Sequence, residues 1–216
     1  TPILKNGPAK AGAEARGCAS CHLPNGRGRP ENAPLAGLPV NYFVQQLQDF
    51  RRGLRVSSDP RKPNVPTMAL LTHAMTDDEM QEAAAYFNLV EWSRWTRVVE
   101  TDRVPKTRIV GNLFLATEAA RTEPIAGRII EVPEDEEQSE VLRNPHSGFV
   151  AYVPRGSLAR GKHLVTTGGS GVVGGTGKTV ACLTCHGPDL MGLIDVPPIA
   201  GRSPSSTALP SPGPRV

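Results

Sequence analysis

The sequence predicts a mainly α-helical protein: two related domains joined by a small strand-containing bridge, the second domain incomplete at its C-terminus. Three observations carry this reading. The motif Cys-x-x-Cys-His occurs twice, at Cys18–Cys21–His22 and at Cys182–Cys185–His186, and uses all 4 cysteines of the 216-residue chain. Each copy is trailed by the same residues at the same offsets. Between them, residues 96–153 read as short β-rich runs with no counterpart in either copy. The boundaries this implies are 1–95, 96–153 and 154–216.

The repeat is legible residue by residue. After His22 come Pro24, Gly28 and Pro34-Leu35-Ala36-Gly37; after His186 come Pro188, Gly192 and Pro198-Ile199-Ala200-Gly201, each 164 positions on. A chance motif would not bring this pattern with it.

In the first domain, residues 9–16 suit a short helix ahead of Cys18. Val40, Phe43, Val44, Leu47, Phe50 and Leu54 recur at helical spacing, with Pro39 near the start and Gly53 near the end. A basic, proline-rich loop (Pro60, Pro63, Pro66) leads to Met68. Thr76-x-x-Glu79 is a capping-box pattern opening a helix whose apolar stripe is Met80, Ala83, Ala84, Phe87 and Val90. Trp92 and Trp95 close the domain and are expected to pack between domains.

The bridge offers strands at residues 97–99, 108–110, 127–132 and 149–153. Its acidic run, residues 131–140, reads as a solvated loop. The second domain starts with a helix over residues 157–166, followed by a glycine-rich insertion, residues 168–177. Gly177-Lys178-Thr179 suggests a phosphate loop, but that motif needs glycine at 172, which is Val172. The insertion reads as a flexible loop. From Ser206 the chain runs Ser-Thr-Ala-Leu-Pro-Ser-Pro-Gly-Pro-Arg-Val, with no helical period. The repeat stops here, as a truncation or shifted reading frame would make it stop.

Cys-x-x-Cys-His is the pattern of covalent c-type haem attachment. Each thiol adds to one haem vinyl group, and the following histidine places an imidazole under the iron. A four-cysteine zinc site would bring the pairs closer in sequence, and neither zinc, thiol redox chemistry nor a disulfide requires a histidine after both pairs. The chain therefore predicts two covalent haems, with Cys18, Cys21, Cys182 and Cys185 as attachment points and His22 and His186 as iron ligands. Composition agrees: hydrophobic residues are 38% and aromatics 5%, lean for protein-only cores, while Gly and Pro number 22 and 21, suiting backbone wrapped around a cofactor. A formal net charge of +3, with no basic run, gives no support for nucleic acid as a partner. No stretch reaches the ~20 apolar residues of a membrane span.

The run from Asn64 to Phe87, Met68 followed by Thr76-Asp77-Asp78-Glu79 and Ala83-Ala84-Ala85-Tyr86-Phe87, resembles the class I cytochromes c, and the whole arrangement resembles the two-domain di-haem members of bacterial periplasms. The resemblance implies that Met68, on the loop before the last helix, is the distal ligand of the first haem; Met75, Met80 and His73 are the rival donors nearby. It also implies that the carbonyls of Pro34 and Pro198 accept the proximal imidazole protons. It makes the protein a periplasmic electron carrier rather than an enzyme, its export signal removed, its partners an electron donor and an acceptor. The resemblance fixes no oligomeric state.

For the second haem no distal methionine is found; Met191 lies on the proximal side. Three arrangements stay open: an open or water-bound iron, ligation by a remote side chain such as His146 or His163, and completion by a neighbouring molecule. A peroxide- or gas-reactive second haem, or a cytochrome subunit of a larger dehydrogenase, are the alternatives to a simple carrier.

Overall fold

A computed structural model describes residues 1–57, 63–111, 113–117, 121–169 and 179–207. Pro60, most of the glycine-rich insertion and the tail from residue 208 lie outside the described residues. The chain divides into two compact units, Thr1–Trp92 together with the residues from Ser203, and Ser93–Arg202.

The first unit is helical. Two short helices, α1 (Pro2–Asn6) and α2 (Cys18–His22), flank a 3-10 segment (Ala9–Glu14) kinked at Gly12. The sequence marks a single helix over 9–16; the kink at Gly12 breaks it, and α1 is too short to leave a period. Gly17 lets α1 close over α2, since a Cβ there would meet the Leu4 and Lys5 carbonyl oxygens at 2.4 Å. Helix α3 (Val40–Arg51) starts on Pro39 and ends before Gly53, as its pattern predicts.

Helix α4 (Asn64–Ala74) replaces the expected loop, so Met68 sits within a helix. Pro66 does not prevent this, because it occupies the first turn, where backbone N–H groups have no intrahelical acceptor to lose. Helix α5 (Asp77–Asn88) opens on the predicted capping box: Glu79 N–H donates to Thr76 Oγ1 at 3.2 Å, and Thr76 N–H donates to the Glu79 carboxylate at 2.7 Å.

Ile3, Leu4, Leu38, Phe43, Leu47, Met75, Met80, Ala83, Ala84 and Phe87 form the core, with Phe43 and Phe87 stacked at 5.9 Å. Arg51, at the end of α3, donates to the Thr72 and Met75 carbonyls (3.0 and 2.7 Å) and to Asp77 (2.9 Å). It thereby caps α4 and ties it to α3 and α5.

The second unit is less helical than expected, because the bridge is a β structure with its own core. Strands β1 (Thr96–Glu100), β7 (Phe149–Val153) and β6 (Ile130–Pro133) make a three-stranded sheet in the order β1-β7-β6, with β1 and β7 parallel and β6 antiparallel to β7. Two antiparallel pairs join it, β2 (Arg103–Pro105) with β5 (Thr122–Pro124) and β3 (Thr107–Val110) with β4 (Leu113–Ala116). Val104, Ile125, Ile130, Val132 and Val150 form one buried cluster; Leu113, Leu115 and Phe149 form another.

The acidic run is not all solvated loop. Glu131 is buried within β6, and Glu137–Val141 makes a π-helical turn. Each tryptophan has a partner within its own unit: Trp92 lies under the Arg27 guanidinium, and Trp95 packs on Phe149. Helix α6 (Ser157–Thr167) follows, closed by Gly168 in the left-handed conformation, and then α7 (Leu183–His186) carries the second motif. A final turn, α8 (Pro204–Thr207), belongs with the first unit.

Candidate haem site

Both motifs lie on short helices, so that each cysteine pair and its histidine are presented on one or two turns. All four cysteines are free thiols. Burial pushes the Cys18 thiol up to about 11. His22 is 8% exposed, and burial holds its imidazole below the ordinary value against the opposing effect of its hydrogen bond to the Ala33 carbonyl. A neutral ring is the form that can ligate a metal.

The ring's orientation is fixed by its other nitrogen. His22 Nδ1 is 2.7 Å from the Ala33 carbonyl oxygen, and His186 Nδ1 is 2.8 Å from that of Pro197. A carbonyl can only accept, so the proton is on Nδ1 and the lone pair on Nε2, the tautomer an iron ligand needs. Free thiols, a buried neutral imidazole and this tautomer fit a covalently bound haem.

The acceptors differ from those the family resemblance implies. The bonds go not to the Pro34 and Pro198 carbonyls but to those one residue earlier. The reason lies in the next amides: Leu35 and Ala36 N–H both donate to the Gly26 carbonyl (2.6 and 2.9 Å), and Ile199 and Ala200 N–H to that of Leu190 (2.8 and 3.0 Å). These bonds turn the chain away after each proline. The peptide plane before the proline is the last to face the histidine.

The two loops share one backbone frame. Gly28 N–H donates to the His22 carbonyl, and Gly192 N–H to that of His186, both at 2.9 Å. Arg29 bridges Asn32 as Leu193 bridges Val196. Gly28 (φ 65°) and Gly192 (φ 86°) are required twice over: a Cβ would meet the Asn32 and Val196 carbonyl oxygens at 2.5 and 2.4 Å. Leu23, after His22, holds φ 63° and ψ 154°, a conformation glycine adopts far more readily; Gly187 is its counterpart.

Met68 is partly buried and packs on the same cluster as Cys18. Met75 and Met80 lie within the core, Met80 completely, and His73 is exposed. His146 and His163 are also exposed; His163 accompanies Thr167 on α6. Sequence reasoning missed Asn64, whose Nδ2 donates to the Glu31 carbonyl and to Asn32 Oδ1 (3.1 and 3.0 Å) and so fastens α4 to the first loop. It missed Tyr86 and Asn88 too, which bond the Pro24 and Leu38 carbonyls from α5. These contacts join distant segments and leave no local pattern. No helix among the described residues is long and apolar enough to cross a membrane.

Residues 8–90 match the family described as cytochrome c. The chain is 39% identical over 71 residues to the thiosulfate dehydrogenase electron acceptor of Stutzerimonas stutzeri (strain A1501), a match covering 32% of this chain and 31% of that protein. Among solved structures, thiosulfate dehydrogenase from Marichromatium purpuratum in its as-isolated form matches at 22% identity with a TM-score of 0.46, over 93% of this chain and 29% of the other. Reduced recombinant cytochrome c4 from Pseudomonas stutzeri matches at 24% identity with a TM-score of 0.34, over 42% and 45%. The likeness to cytochrome c thus covers residues 8–90, the stretch that holds Cys18, Cys21, His22 and Met68, and supports a covalent c-type haem there.

Proposed function

We propose that the protein is a periplasmic di-haem c-type cytochrome that carries single electrons between redox proteins. The observation that carries this reading is the pair of histidines, each following a cysteine pair and each bonded through Nδ1 to a carbonyl 11 residues on. Haem, when attached, supplies the one-electron chemistry. The chain's own residues do the rest: Cys18, Cys21, Cys182 and Cys185 anchor, His22 and His186 ligate from the proximal side, and Ala33 and Pro197 fix the rings. Met68 is the distal ligand of the first haem, supported by its partly buried place beside Cys18 while Met75 and Met80 serve the core.

The donor is a dehydrogenase, for which this chain acts as electron acceptor. The name of the Stutzerimonas stutzeri relative supports that choice. The test is haem content and ligation in the exported, haem-loaded protein. Mass spectrometry and alkaline pyridine spectra are expected to give two haems per chain, with a methionine-ligation band in the oxidised spectrum that disappears in Met68→Ala. One haem per chain, or a band unaffected by Met68→Ala, overturns the corresponding part of the reading. Rapid carbon monoxide binding at one haem would make that site reactive and the protein more than a carrier.

A further inference from the structure

The two haem loops have one backbone and opposite charge. In the first, Arg27, Arg29 and Glu31 leave residues 23–38 one positive. In the second, Asp189, Asp195 and Arg202 leave residues 187–202 one negative. Position by position, Asn25 answers to Asp189, Arg27 to Met191 and Arg29 to Leu193.

Their surroundings differ in the same sense. Arg27 and Arg29 are buried, Arg29 paired with the buried Glu31 at 3.0 Å and Arg27 bonded to the Glu91 carbonyl at 2.5 Å. Met191 and Leu193 are about half exposed, and His186 is more exposed than His22. Arg27 and Arg29 flank Gly28, whose N–H bonds the His22 carbonyl, and Asp189 follows His186 by three residues in the loop closed by the Gly192 bond to the His186 carbonyl.

Oxidation adds one positive charge at the iron. A positive, buried surrounding opposes that charge more strongly than a negative, solvated one, since Coulomb energies grow as the local dielectric falls. We infer that the loop charges order the two haems in potential, the first above the second. A chain holding one electron therefore has its first iron ferrous and its second ferric. This rests on the di-haem reading and adds a polarity to it: Asn25, Arg27 and Arg29, against Asp189, Met191 and Leu193, are the residues that set the order.

The experiment is spectroelectrochemical titration of the haem-loaded protein and its variants, with the two haems distinguished by the Met68-dependent band. Asn25→Asp keeps an acceptor for the Arg27 N–H (3.1 Å) and is expected to lower the first potential alone. Asp189→Asn, at an exposed position, is expected to raise the second alone. Arg27→Met, which writes the second loop's residue into the first, is expected to lower the first potential by more than Asn25→Asp does. The exposed-site shift should shrink as salt is raised.

A second potential above the first in the unaltered protein overturns the inference. So do unchanged potentials in both Asn25→Asp and Asp189→Asn, which should fold whatever becomes of Arg27→Met. Failure of the underlying reading looks different: a single haem per chain, and a titration with one component.

Discussion

From His22 to Leu38 and from His186 to Arg202 the chain makes the same glycine-dependent turn, the same two-residue bridge and the same imidazole–carbonyl bond. Around the first loop stand α3, α4 and α5, whose Tyr86, Phe87 and Asn88 reach it directly. Around the second, Met191, Leu193 and Ile194 are exposed, Ile194 by 96%. The difference separates two properties often treated as one. The haem loop's backbone is local, written by Gly, Pro and His within about sixteen residues. Its burial is not local and comes from helices lying 20 to 60 residues further on.

That separation can be tested from both sides. Replacing Cys18 and Cys21 by Ala is expected to remove one of the two proposed haems and destabilise the first unit, while Cys182→Ala with Cys185→Ala leaves the first haem's spectrum intact; mass and visible spectra decide. Phe87→Ala empties a fully buried site and should cost about 3–5 kcal/mol in denaturant unfolding of the first unit, with no change at the second haem. Gly28→Ala and Gly192→Ala meet equal obstacles in equal frames, so each should cost about 2 kcal/mol or more. A much smaller loss at 192 would show the second frame to be less firmly held.

Arg51→Leu removes three hydrogen bonds that gather α3, α4 and α5, for a loss of about 2 kcal/mol confined to the first unit. Thr76→Ala should cost about 1 kcal/mol at neutral pH. Partial burial raises the Glu79 pKa, but bonds from the Thr76 and Ala9 amides and the Thr76 hydroxyl, with Lys10 nearby, outweigh it and hold the carboxylate below its ordinary value. Its stabilisation is present above the unfolded value and lost as pH falls through the folded one. The gap between wild type and Thr76→Ala should therefore narrow in urea melts below about pH 4.

What was legible in the sequence was what short range encodes. The paired motifs, the 164-residue repeat and the Thr76–Glu79 cap survive as described, and the stripes of α3 and α5 do so apart from Leu54 and Val90, which lie past the helix ends. Four of the seven strands among the described residues were legible, although β6 starts three residues later than the pattern suggests. The others, β2, β4 and β5, are three or four residues long. Helix α4 was hidden by Pro66, a residue that breaks helices except where it stands here. The imidazole acceptors were one residue off because a proline at a conspicuous offset is easier to see than the carbonyl before it. Glu131 shows the reverse limit: a charged residue in an acidic run gives no sign that a sheet will bury it.

The parallel pairing of β1 with β7 has a consequence for how the chain is made. Thr96 faces Phe149 across the ladder, so the first strand of the sheet waits for the last. A chain threaded through a pore from its N-terminus exposes β1 as a bare edge until some fifty more residues have emerged, a delay that local helices such as α3 and α5 never face. Such an edge invites pairing with strangers. Arg97 and Glu100, the charged residues on either side of Val98 and Val99, work against such pairing, and in the finished fold Arg97 pairs with Glu134.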